Sequence, residues 1–184
     1  MRDQVLASGL LLRPFVASDA ASLLATVDGS RLRLARWMPW VPYSTTVSDF
    51  AAFIDGAGRS EADGGAFHRG LFSDGVPVGA VGASLDLVNH CAEVGYWLVP
   101  EWEGRGVVTE AVGLMLDFLF EEMAVHRVAL RAATQNRRSR AVAERLGFEF
   151  EGVLREALWL EDRPTDTALY SLLEPEWRGR REGQ

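Results

Sequence analysis

Apolar residues recur along this chain with two different periods, and the switches between them mark out the elements. The run LLLRPF predicts a short strand stopped by Pro14. Ser18 and Asp19 then predict the cap of a helix through about Val27, with Ala21, Leu24 and Ala25 on its apolar face. RLARWMPWVPYSTT follows neither period, and its prolines beside two tryptophans predict an irregular loop carrying large apolar side chains. Ser48 predicts the start of a second helix through about Arg59, ended by EADGG. AFHRGLF and VGAVGASLDLV flank SDGVP, so Asp74-Gly75 predicts the turn of a β-hairpin. CAEVGYWLV predicts a further strand, with Glu93, Gly95 and Trp97 on one face and Ala92, Val94, Tyr96 and Leu98 on the other. From about Val107 to Met123 the apolar positions fall at helical spacing. HRVALRAAT predicts a strand, and NRRSRAVAERLGF a short helix closed by Gly147 at its C′ position. The stretch FEFEGVLREALWLEDRPTDTALYSLL predicts two antiparallel strands turning near EDRP.

The order β-α-α-β-β-β-α-β-α-β-β puts consecutive hairpin strands before a single β-α-β unit. It predicts an α/β (α+β) fold whose central sheet is mixed and mostly antiparallel, with about seven strands and flanking helices. Doubly wound and sandwich folds do not fit this order. One domain is expected over residues 1–176, followed by a polar tail at 177–184 that reads as a frayed end.

Composition narrows the partners. A net charge of −7 argues against sequence-independent nucleic-acid binding and suits a cationic amine or a basic peptide. The single cysteine, Cys91, excludes an intrachain disulfide framework and a Cys-based zinc site. An acyl-cysteine route is not expected of it, and His90 and His126 are spaced too widely to suggest a metal. No run approaches the roughly 20 apolar residues of a membrane span. A cytoplasmic protein with neither metal nor membrane contact is the expectation.

Candidate chemistry gathers at LVPEWEGRGVVTEAVGLML, where Gly104 and Gly106 sit between a strand and a helix. The first amides of a helix lack intrahelical acceptors, and glycines let an anion approach the backbone. An anion cradle and a ligand-free glycine turn both fit two glycines. The Walker spacing Gly-x4-Gly-Lys-Ser/Thr is absent, and Gly113 comes too late for a dinucleotide fingerprint.

EGRGVVTEA resembles the acyl-CoA loop of the GCN5-related N-acetyltransferase (GNAT) superfamily, in its RimJ/RimL-like ribosomal-protein N-terminal acetyltransferase branch. LLLRPF, RWMPW, AEVGYWL, NRRSRAVAERLGFEFEGVLREALW and LYSLL resemble that branch in the same order, over nearly the whole chain. Glu103 stands where the pattern has Gln or Arg, and Val108 where it has Gly or Ala. The resemblance implies acetyl-CoA as co-substrate and direct attack by a primary amine, on a protein N-terminus or on a small molecule. It assigns pyrophosphate binding to Gly104, Arg105, Gly106, Val107, Val108 and Thr109. It assigns pantetheine pairing to the backbone of Trp97, Leu98 and Val99 and to Asn136.

The same resemblance nominates Glu93 as the base, acting through water, where apolar strand neighbours would suit a proton acceptor near neutral pH. A structural glutamate paired with an arginine is the competing account. The usual acidic tyrosine, seven residues after Asn136, is replaced by Ala143, and the branch instead implies Ser139 as proton donor to the thiolate. Asn136 also suits a helix cap. Tyr170 is a second candidate acid and substrate contact. Trp37 and Trp40 either wall an amine cleft or anchor their loop to the core, and Arg36 and Asp49 are further candidate substrate contacts. A non-catalytic acyl-CoA-binding module is the alternative that Glu103 and Val108 motivate. Exposed sheet edges leave a homodimer open.

Overall fold

The computed structural model describes residues 1–182. Two short strands come first, β1 (Gln4–Val5) and β2 (Leu11–Arg13), followed by helices α1 (Ala20–Gly29), α2 (Arg31–Ala35) and α3 (Val47–Ala62). Strands β3 (Ala66–Ser73), β4 (Val76–Asp86) and β5 (Cys91–Leu98) lead into helix α4 (Val107–Asp117), which continues as a π-turn through Phe118–Glu122. Then come β6 (Arg127–Ala133), α5 (Arg137–Leu146), β7 (Glu149–Leu160), β8 (Arg163–Leu173) and α6 (Glu174–Glu182). Among the described residues the eight strands form one sheet, ordered β1-β2-β3-β4-β5-β6-β8-β7. Every neighbouring pair is antiparallel except β5–β6, which α4 connects as a crossover.

Local chemistry corrects several predicted boundaries. α3 is capped by Thr46 rather than Ser48: the Thr46 hydroxyl accepts the Asp49 N–H at 3.2 Å, and the Asp49 carboxylate accepts the Thr46 N–H at 2.8 Å. Asp19 does not cap α1 with its side chain. Its carboxylate takes the Val16 N–H and both terminal nitrogens of Arg13, and those Arg13 bonds, first, hold it below the usual carboxylate range. The loop predicted from Arg33 begins inside the five-residue α2. The tail expected to fray from 177 is helical through Glu182, because Trp177 is buried and donates to Asp117 at 2.9 Å. Its last two residues lie outside the described ones.

Two apolar layers sandwich the sheet. α4 and α5 cover one face through a core that includes Val112, Met115, Leu116, Leu130, Ala143 and Leu172. On the other face Leu23, Val27, Phe50 and Ile54 of α1 and α3 pack together over β3 and β4. Ring contacts fix which face is which. Phe67 meets Phe118 beyond α4 at 4.7 Å, while His68, the next residue, meets Phe53 of α3 at 5.3 Å. His68 shares its row with Gly82 and Gly95, so Glu93, Gly95 and Trp97 point to the α1–α3 side.

Candidate active site

The parallel ladder between β5 and β6 runs only from Cys91 opposite Arg127 to Val94 opposite Leu130. Beyond it both strands continue, each still paired on its far side, with no ladder contact between them. The strands part, and a seam opens in the middle of the sheet. Leu98 lies opposite Gly79, and the Val99 N–H donates to the Val78 carbonyl at 2.8 Å. The alternation of an antiparallel ladder then directs the backbone groups of Tyr96 and Leu98 into the seam, and those of Gly95 and Trp97 toward β4. Of the three residues nominated for pantetheine pairing, only Leu98 turns its backbone groups into the seam. Trp97 and Val99 are engaged with β4, and Tyr96 is the other residue whose backbone groups face the seam.

At the end of β5, Gly104 and Gly106 both adopt left-handed backbone, with φ of 76° and 78°. Gly106 is the N-cap of α4, and Glu110 is the first residue whose N–H finds a helical acceptor, the Gly106 carbonyl. Among the described residues the amides of Gly104, Arg105, Gly106, Val107, Val108 and Thr109 donate to no backbone acceptor. Side chains stand clear of them. Val108 packs against the main core, Arg105 lies over the Trp102 ring at 4.8 Å, and the Thr109 hydroxyl accepts from Arg145 at 2.8 Å. This row of amides at a helix start fits a pyrophosphate. Glu103 turns away from it: Arg33 of α2 holds its carboxylate at 2.6 Å, and Arg138 of α5 holds it as well. The acidic replacement in the loop pattern is thus neutralised by two arginines far from it in sequence.

Across the seam, α5 begins at Asn136, whose Oδ1 accepts the Ser139 N–H at 3.2 Å. Asn136 is the cap, and among the described residues its Nδ2 has no partner, so the amide group stays available for a ligand. The Ser139 hydroxyl lies 2.8 Å from the Tyr96 hydroxyl, which also donates to the Ser139 carbonyl at 3.1 Å. Burial pushes the Tyr96 phenol up to about 12, against the opposing effect of the Ser139 bond. Tyr96 is the seam residue that the pattern concealed, since period-two alternation marks it as core.

Glu93 lies on the opposite face, bound by Arg131 through paired contacts of 2.8 Å. Its side chain is 41% exposed, so the apolar surroundings expected for it are absent and the arginine-paired geometry is present. Trp40 stacks edge-on against Phe50 and Trp97, anchoring its loop, whereas Trp37 lines a small cleft with Arg36, Gln135, Arg163 and Thr165. Asp49 is committed to its capping box. Tyr170 is 1% exposed, and its hydroxyl accepts from Arg140 at 2.9 Å. Its register opposite Leu130 sets it on the α4–α5 side, so it offers no surface to an acceptor. Among the described residues no three His, Cys, Asp or Glu side chains gather as metal ligands.

Comparison with known proteins follows the same outline. The family profile for the acetyltransferase (GNAT) domain matches residues 9–149. YdaF of Bacillus subtilis (strain 168), provisionally named a ribosomal N-acetyltransferase, is 35% identical over 92% of this chain and 94% of its own length. The ribosomal protein uS5-alanine N-acetyltransferase of Escherichia coli (strain K12) is 30% identical over 62% of this chain and 61% of its own. Among solved structures, the microcin self-immunity acetyltransferase MccE, in complex with acetyl-CoA and AMP, superposes with a TM-score of 0.82. It is 26% identical and covers 89% of this chain and 92% of its own.

Proposed function

Since this chain belongs to the acetyltransferase (GNAT) family and is an acetyl-CoA-dependent N-acetyltransferase, we propose that its acceptor is the N-terminal α-amine of a protein, with ribosomal proteins foremost. The observation that carries the mechanism is the seam beyond Val94 and Leu130, with free amides at one end and the Ser139 hydroxyl at its wall. The relatives' acceptors support the choice of amine. A cytoplasmic setting accords with that substrate, and no described helix is long and apolar enough to cross a membrane. Homodimerisation belongs to the same reading: β7 is an outer strand that exposes Phe150, Val153 and Trp159.

Acetyl-CoA, when bound, supplies an acyl group activated as a thioester. The chain's own contribution is alignment and proton management. The amides of 104–109 hold the phosphates, and Tyr96 and Leu98 present a strand edge to the arm. The amine nitrogen forms a bond to the acyl carbon, the carbon–sulfur bond breaks, and sulfur leaves with the electron pair. Glu93 is the nominated acceptor, through water, of the proton released by the amine, and its pairing with Arg131 is the structural role that competes with this one. Ser139 gives its proton to the departing sulfur, with the Tyr96 phenol hydrogen-bonded behind it.

The test is an acetyl-transfer assay on peptides beginning with Ala or Ser, on the same peptides with blocked N-termini, and on polyamines and free amino acids. Transfer to the free peptides with none to the blocked ones is the expected result. Transfer confined to small-molecule amines would sink the protein-acceptor reading.

A further inference from the structure

Glycine weakens the interior of a strand, so its presence there calls for a cause. Three glycines of this sheet have one in packing. A Cβ at Gly70 would lie 2.5 Å from Phe72, one at Gly79 2.6 Å from the Trp97 carbonyl oxygen, and one at Gly82 2.5 Å from His68. Gly152 has a φ of 153° where the β7–β8 register shifts. Gly95 has no such cause: its φ lies outside the left-handed region, and a Cβ there would meet no atom within 4 Å. Nothing in the chain requires this glycine, so the space above it is kept for something that is not part of the chain.

Its position says what. Gly95 is exposed and is the first residue of β5 past the last pair with β6. On its face Trp97, two residues on, packs against the α1–α3 core and meets Trp40 at 6.2 Å. On the other flank stands the Glu93–Arg131 pair. The result is an open space floored by the Gly95 backbone, between the Trp97 indole and the Glu93–Arg131 ion pair. Ser139 and Tyr96 meet on the opposite side of the sheet. An amine entering by this space would reach the seam from the face opposite the proton donor for sulfur, with Glu93 beside its path.

We propose that Gly95 is the floor of the acceptor's approach, and that the missing side chain sets how large a group the acceptor carries next to its amine. The inference rests on the N-acetyltransferase reading of the seam. It makes Gly95 a specificity-determining residue for the group borne on the carbon next to a primary amine, the side chain of an N-terminal Ala or Ser included.

Gly95→Ala and Gly95→Val test it, since both residues suit an extended backbone. The acceptor KM is expected to rise about tenfold for Ala and about a hundredfold for Val. Calorimetric binding of an acceptor peptide should weaken in parallel, with the acetyl-CoA Kd unchanged within about twofold. The melting temperature should hold or rise by about 2–4 °C, because nothing is crowded and the unfolded chain loses freedom. A fall of similar size would mark Gly95 as structural and overturn the proposal. So would an active, folded Gly95→Val protein whose acceptor KM and peptide affinity match wild type, and that result leaves the acetyltransferase reading intact. A wild-type chain that binds acetyl-CoA yet transfers to no amine overturns both.

Discussion

Cys91–Val94 and Gly95–Leu98 are the two successive halves of one strand, with opposite fates. β4 pairs with both alike, so the difference comes wholly from β6. The first half is laddered on both edges and buries Ala92 and Val94. The second is laddered on one edge, and its residues keep partial contact with solvent. An unpaired strand edge is ordinarily a liability at the rim of a sheet. Here it lies at the centre, where neighbouring strands and helices keep another protein's strand away while a slender ligand can enter. The comparison teaches that one strand can serve stability and chemistry in turn, divided at a single residue.

The largest expected effect lies at the open half. Ser139→Ala should lower kcat by about 10²–10³, with acetyl-CoA affinity by calorimetry unchanged. A kcat within threefold of wild type would remove Ser139 from the reaction. Next comes the closed half: Val94→Ala should cost about 2 kcal/mol in urea denaturation, with both KM values of the folded protein unaltered. A shifted acceptor KM would blur the division. Tyr96→Phe straddles the boundary and should cost about 1 kcal/mol of stability together with about tenfold in kcat. Loss of stability alone would make Tyr96 a packing residue.

The smallest effect is a pH dependence far from the seam. Arg127, first, and then Ser171 hold Glu151 down from 4.5 to about 2. A carboxyl lowered in the folded state stabilises above its ordinary value, and that contribution is lost as pH falls toward the folded one. Glu151→Gln should therefore flatten the stability profile between about pH 4.5 and pH 2, without altering turnover at neutral pH. An unchanged acid limb would show that solvent screens the pair.

Much of this was legible in the chain because the information was local. Asp74-Gly75, Gly147 and the helical spacing after Gly106 specify their turns within a few residues. β1 escaped notice because two residues carry no period, and α2 because prolines and tryptophans masked its short helical turn. α6 was hidden by its polar composition, although Trp177 alone is enough to dock it. At the site, motif resemblance nominated Leu98, Asn136 and Ser139, which the fold gathers along the seam. It could not reach the partners that decide their chemistry: Tyr96 for Ser139, Arg131 for Glu93, and Arg33 and Arg138 for Glu103. Those contacts join residues 35 to 70 positions apart, and only the folded sheet brings them together.

The short parallel ladder has a further consequence for how the molecule breathes. β1 through β5 form one set of antiparallel neighbours, and β6, β8 and β7 form another. Within the sheet, Cys91–Val94 against Arg127–Leu130 is the one join between them. The ligand slot and the boundary between the two half-sheets are the same place. Amides along that join should exchange with deuterium through a partial opening that costs less than global unfolding. A ligand laid in the slot would bridge the halves, and at a hundredfold excess over its Kd it adds about 2.7 kcal/mol. Substrate would then turn two loosely coupled folding units into one, making the protein most rigid when acyl transfer needs its geometry held.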